Sequence, residues 1–153
     1  MDRSEFFGAS SSSSCSSDIR LCTPDDVEWM ISICERLWNN IDKKDAKNTL
    51  LSFINNPDCC VIRSDFAAGG VGIYGWEFNR SHLIGEELFV GSISKNPMEA
   101  LKIYRFLCNW SKDRKAAMFK FSMSADSRSG KSLNPIAKRL GAVAINSNYV
   151  VRF

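Results

Sequence analysis

"LIGEELFVGSISKNPMEALKIYRFLCNWSKDRKAAMFKFSMSA" (residues 83–125) is the stretch that decides the fold. It opens on a strand-like run, "LIGEELFV" (83–90), and closes on another, "AAMFKFSMSA" (116–125). In the second run Met118, Lys120 and Ser122 alternate with Phe119, Phe121 and Met123. Between the two, the apolar period switches from two to 3.6 residues. Leu101, Tyr104, Leu107, Cys108 and Ser111 form one stripe, with Ile103, Phe106 and Trp110 beside it. The spacing predicts a helix from Pro97 to Asp113, with an apolar face wide enough to pack on a sheet and on something else. Strand, helix and strand in that order form a right-handed crossover, which leaves the two strands side by side and parallel.

Upstream, "DIRLC" (18–22) reads as a short strand and "TPDDVEWMISICERLWNN" starts a helix. Thr23 is its cap, Pro24 takes the first position, and acids fill the first turn. A second helix spans 42–56, followed by strands at 59–64 and 70–78, with a turn at "DFAAGG" between them and another at "NRSH" before residue 83. Downstream, "GKSLNPIAKRL" (130–140) is a helix stopped by Gly141, and "NSNYVVRF" (146–153) reads as a closing strand. The element order β-α-α-β-β-β-α-β-α-β predicts an α+β fold. Its sheet is mixed and mostly antiparallel, with helices on both faces.

A chain of 153 residues with 44% apolar content suits one globular domain, spanning 18–153. No apolar run reaches the length of a membrane span, and no apolar core of a secretory signal is visible, so a cytoplasmic protein is expected. "MDRSEFFGASSSSSCSS" (1–17) is a low-complexity leader that cannot fold by itself. Its Phe6 and Phe7 are natural anchors, either on this domain or on a neighbour such as a protein partner or a second copy. Six cysteines contain no CxxC pair, and His82 is the lone histidine, so metal ligation and a disulfide framework are not expected. Charge is uneven: residues 91–153 hold twelve Lys/Arg against three Asp/Glu, whereas residues 1–90 hold eight against fourteen. The basic half suits an anionic partner. Nucleic acid is the weaker choice, since Lys112, Arg114, Lys115, Lys120, Arg128, Lys131, Lys138 and Arg139 accompany no recognised reader motif.

This element order, together with "IAKRLGAVAINSNYVVRF" at the end, resembles the GCN5-related N-acetyltransferases. Their last helix commonly ends in a Lys-Leu-Gly-Phe-like run before a terminal strand, and "KRLGA" stands in that place. The resemblance implies N-acetyl transfer from acetyl-CoA, bound where the fourth and fifth strands splay apart. The pantetheine would pair with Leu88, Phe89 and Val90 on the fourth strand, and the pyrophosphate would meet Ser92, Ser94, Lys95 and Asn96 before the next helix. Helix N-termini suit anions because their first N–H groups are unpaired and the dipole is positive there. The family's Arg/Gln-x-x-Gly-x-Gly/Ala loop is nevertheless absent. The favoured reading of these residues is a plain helix start, with Asn96 as cap and Pro97 after it.

N-acetyl transfer needs a base for the amine proton and a group that stabilises the departing thiolate. Family members often carry the base on the fourth strand, where Glu86 and Glu87 stand here and strand alternation sends them to opposite faces. Glu87 is the preferred candidate. The phenol that usually protonates the thiolate sits four residues before the glycine of the last helix, and that position is Ala137. Tyr104 and Tyr149 are other phenols, Tyr104 being read as a core aromatic. His82 lies at the predicted turn without a visible partner. The alternative function is a catalytically silent member of the fold used as a structural or interaction module. Small degenerate members encoded by tailed bacteriophages near virion-assembly genes offer a likeness, and the virion would then be the location.

Overall fold

The computed structural model describes residues 18–122, 130–144 and 151, without the side chains of 130–134. The leader, residues 123–129 and nearly all of the predicted closing strand with Tyr149 lie outside the described residues. The chain divides into two compact units, Met1–Ser122 and Met123–Phe153.

In the first unit the elements are β1 (Arg20–Leu21), a 3-10 turn (Pro24–Asp26), α1 (Val27–Leu37) and α2 (Lys43–Asn55), then β2 (Cys59–Arg63), β3 (Ala67–Trp76), β4 (Asn79–Ser92), α3 (Pro97–Asp113) and β5 (Met118–Lys120). The five strands lie in sequence order. β1 through β4 pair antiparallel, and β5 joins β4 in parallel, as the crossover requires. The sheet is therefore mixed and mostly antiparallel.

Alternation along the strands divides the core between two faces. On one face Val61 and Ala68 pack with Val27, Met30, Ile31 and Leu50 of α1 and α2. On the other, Cys60, Ile62, Ala67 and Val71 pack with Ile103 and Leu107 of α3. α3 sits very close to the sheet. A Cβ on Gly85 would lie 2.4 Å from Ser111 Oγ, and one on Gly69 2.5 Å from Ile103 Cγ2. Ser111 is accommodated against the sheet because its hydroxyl donates back to the Leu107 carbonyl at 2.8 Å.

The front of α1 is built on a buried acid. Asp26 is 6% exposed and accepts from both Arg20 guanidinium nitrogens, at 2.8 and 2.6 Å, from Arg63 at 3.1 Å and from the Thr23 N–H at 2.9 Å. Arg63 also lies 3.4 Å over the Trp29 ring. These bonds, with that of Arg20 first, hold the Asp26 carboxyl well below the usual carboxylate range.

Two turns differ from the sequence reading. "DFAAGG" is not a turn as a whole: Ser64 closes a tight reversal by accepting from the Phe66 and Ala67 N–H groups at 3.2 and 3.1 Å, and β3 begins at Ala67. The small residues there belong to buried strand, pressed from both sides by helices. The hairpin between β3 and β4 turns at Glu77–Phe78 rather than at 79–82. Residues 80–82, including His82, form an insertion in β4, since Trp76 pairs with Asn79 but Gly75 with Leu83. At that tip Trp76 and Phe78 meet edge to face at 5.2 Å, and Phe78 is 82% exposed. Of the strand predicted over 116–125, the described residues 116–122 form β-ladder over Met118–Lys120, and 123–125 lie outside the described residues.

In the second unit α4 (Gly130–Leu140) ends in a left-handed cap. Gly141, at φ 68°, donates to the Lys138 carbonyl at 3.1 Å and Ala142 donates to that of Ala137 at 2.9 Å, the Schellman pattern.

Candidate active site

β4 and β5 pair only through Ile84–Met118, Gly85–Phe119 and Glu86–Lys120. Beyond that point, among the described residues, β4 from Glu87 to Ser92 keeps only β3 as a strand partner. Among the described residues, a strip of strand edge is therefore open on the β5 side. An open edge offers rows of N–H and C=O groups to any extended chain that carries amides.

One irregularity lies on this strip. Gly70 pairs with Phe89 but Val71 pairs with Glu87, so Leu88 is an extra residue in β4. Consecutive side chains then share a face. A Cβ on Gly72 would stand 3.5 Å from Leu88 Cδ2, and one on Gly70 3.0 Å from Phe89 Cε1, and residues two apart in a strand point the same way. Leu88 and Phe89 thus turn together toward α1 and α2, while Val90 faces Ile103 and Leu107.

Glu87 stands where the strands part. Glu86 is exposed on one face and Glu87 half-buried on the other, beside α3. Tyr104 of α3 is buried, and its hydroxyl donates to both Glu87 oxygens at 3.4 Å. The backbone N–H of Ser122 also hydrogen-bonds the carboxyl. Phe121 lies 5.2 Å from the Tyr104 ring and 5.8 Å from Phe119, so aromatic surface surrounds the acid. Burial pushes the Glu87 carboxyl up to about 7, against the opposing pull of the Ser122 and Tyr104 hydrogen bonds. Burial first, and then the neighbouring Glu87, lifts the Tyr104 phenol far above its ordinary range, so it stays a neutral donor.

Sequence reasoning placed Glu87 but treated Tyr104 as plain core. A signal existed: a phenol on an otherwise apolar stripe needs a partner when buried. The Ser122 N–H left no trace in the sequence.

The loop before α3 is wired to itself. Ser92 Oγ accepts from the Ser94 N–H at 3.1 Å, Ser94 Oγ from the Asn96 N–H at 3.0 Å, and Asn96 Oδ1 from the Met98 N–H at 3.0 Å. Ile93 donates to the Phe66 carbonyl at 2.8 Å and Glu99 to the Asn96 carbonyl at 3.2 Å. Pro97 has no N–H to give. The first turn also contains its own anion. Glu99 is 5% exposed, accepts from Ser64 Oγ at 3.3 Å and pairs with Lys102 at 3.1 Å. An acyl-CoA therefore fits this chain only in part. The β4 edge along Leu88, Phe89 and Val90 suits an amide-bearing arm, whereas the loop does not form a diphosphate cradle. Serine hydroxyl protons and the exposed Lys95 are what it keeps for an anion.

Cys22 and Cys60 add no nucleophile. Cys22, Cys34, Cys59, Cys60 and Cys108 are free. Burial pushes Cys22 up to about 12 and Cys60 up to about 11, which keeps both protonated at neutral pH. Among the described residues no group of three or more His, Cys, Asp or Glu could hold a metal ion, and no helix is long and apolar enough to cross a membrane.

No protein-family model and no curated protein sequence matches the chain. Solved structures do. An aminoglycoside N-acetyltransferase in complex with CoA superposes with a TM-score of 0.73 at 10% identity, over 92% of this chain and 97% of its own. A predicted acetyltransferase from Clostridium acetobutylicum, solved with acetyl-CoA, gives 0.66 at 16% identity, over 88% and 95%. A transcriptional regulator from Bacillus halodurans gives 0.71 at 10% identity, over 90% and 99%. Identities this low speak to architecture, and one architecture can host several functions. The strand order, the crossover through α3 and the parting of β4 from β5 agree with these likenesses: the chain has the fold of the GCN5-related N-acetyltransferases.

Proposed function

We propose that the chain transfers an acetyl group from a thioester to an amine, with Glu87 as the general base. The amide C–N bond forms as the thioester C–S bond breaks, and Glu87 accepts the proton that the amine nitrogen must lose, directly or through one water. The observation that carries this reading is an acid with no cationic partner among the described residues, at the point where two strands part. A base is most effective when its pKa lies near the working pH, and Glu87 stands at about 7. Tyr104 stays neutral and orients the carboxyl as a hydrogen-bond donor, which offsets only part of the upward push of burial. Glu86 faces away and is exposed, which suits a solvated surface acid.

The test is thiol release from acetyl-CoA in the presence of a panel of primary amines. Glu87→Gln is expected to lower turnover by about 10²–10⁴-fold, while Glu86→Gln leaves it near wild type. Wild-type turnover should rise with pH through about 7 and then level, as Glu87 loses its proton. A Glu87→Gln protein that turns over at the wild-type rate sinks the reading.

A second reading rests on the self-wired loop and on Ala137, which cannot protonate a thiolate. In it the chain is a catalytically silent acetyltransferase fold, an interaction module whose partner is held by residues 1–17 or by the basic half. Deletion of 1–17 should then abolish assembly with that partner and leave the melting temperature nearly unchanged. Normal assembly of the truncated chain counts against it.

A further inference from the structure

We infer that the donor site reads the arm of its thioester and gains almost nothing from a nucleotide diphosphate. The inference rests on the acyl-transfer reading and adds the donor's chemical class: an acyl thioester on a pantetheine-type arm, whose amides supply the recognition.

Two regions of the site support this in opposite ways. The β4 edge from Glu87 to Ser92 is open on the β5 side among the described residues, so backbone groups are available to pair an extended amide chain. The helix start is closed. Each N–H that would turn toward an anion at Ser94, Asn96, Met98 and Glu99 is engaged within the loop, and Pro97 lacks one. The first turn of α3 contains the buried Glu99 carboxylate, and Lys102 is paired with that same group. A diphosphate arriving there would meet a negative charge and find the N–H groups of Ser94, Asn96, Met98 and Glu99 already engaged. Lys95 is exposed, and an exposed cation adds little to an ion pair in water. The arm can reach the site on a small molecule or on a carrier domain that displays it, and both bring the same amides to the same edge.

Calorimetric titration of the full chain separates these cases. S-acetyl-pantetheine and acetyl-CoA are expected to bind within about threefold of each other, where a working diphosphate cradle would favour acetyl-CoA by about a hundredfold. An advantage of acetyl-CoA above about tenfold overturns the inference and leaves acyl transfer standing. Absence of heat with either compound overturns acyl transfer itself. A carrier protein bearing the acetylated arm identifies the source: tighter binding than S-acetyl-pantetheine assigns the arm to a carrier, and equal or weaker binding to a small molecule. Glu99→Gln provides the second variant. It should tighten acetyl-CoA and leave S-acetyl-pantetheine unchanged. Unchanged affinity for both removes Glu99 as the excluding charge and overturns the inference.

Discussion

Two acids in the same unit, one buried and one half-buried, have opposite fates. Asp26, at the front of α1, is surrounded by cations and backbone donors: Arg20, Arg63 and the Thr23 N–H. Glu87, at the parting of β4 and β5, has a phenol and a peptide N–H and no cation among the groups that shift it. Burial opposes ionisation at both places, but only at Asp26 is the opposition overcome. A carboxylate wired in this way is fixed and joins β1, β2 and the start of α1. A carboxyl left to desolvation is costly to ionise and ready to exchange a proton. Residue type alone does not separate the two roles; the presence or absence of a positive neighbour does.

The contrast is open to direct attack. Asp26→Ala is expected to have the largest effect, lowering stability by about 3 kcal/mol, because Arg63 would be left half-buried without its anion. Urea denaturation measures it, and a loss under about 1 kcal/mol would place Asp26 with ordinary surface acids. Glu87→Gln should move stability the other way, raising it by about 2 kcal/mol at pH 8, where the wild-type carboxyl must be ionised in a dry site. If that variant is destabilised as Asp26→Ala is, the two acids are not different in kind.

The pH dependence sharpens the same point. Glu87 has a raised folded-state pKa, so its contribution is full below the ordinary glutamate value and is lost as pH climbs from about 4.5 to about 7. Asp26 has a depressed one, so its contribution is full above the ordinary aspartate value and is lost as pH falls below that value. Wild-type stability should therefore decline on both sides of mildly acidic pH, and Glu87→Gln should remove only the alkaline decline. Thermal unfolding across the pH range tests both limbs. Gly85→Ala should cost about 2 kcal/mol, since a methyl group there collides with Ser111 beneath α3. The smallest effect belongs to Asn96→Ala, about 1 kcal/mol for loss of the cap on the Met98 N–H.

The crossover from 83 to 125 was legible because the apolar period changes twice within it, and that change fixes strand, helix and strand. The strands' parallel pairing follows from connection geometry. Turn positions were less legible. Gly69 and Gly70 punctuate the sequence as a turn would, yet helix packing requires small residues at Gly69, and both belong to β3. Glu77–Phe78 carries neither glycine nor asparagine, so the hairpin passes for strand. Glu87 was readable from its strand and its alternation. Its environment was not, since Tyr104 lies 17 residues away and meets it only after α3 folds back. The acids at the start of α1 signalled a helix dipole. That Asp26 also gathers Arg20 and Arg63 depends on β1 and β2 lying together, which no local pattern encodes.

The single surplus residue at Leu88 has a consequence for anyone comparing or redesigning this strand. Inside and outside swap roles partway along β4, so a two-letter apolar–polar template laid over its whole length falls out of phase at its midpoint. Excising Leu88 would restore the phase and leave Phe89, Val90 and Gly91 on the layers they face now, because Val71–Glu87 and Gly70–Phe89 would then be consecutive pairs.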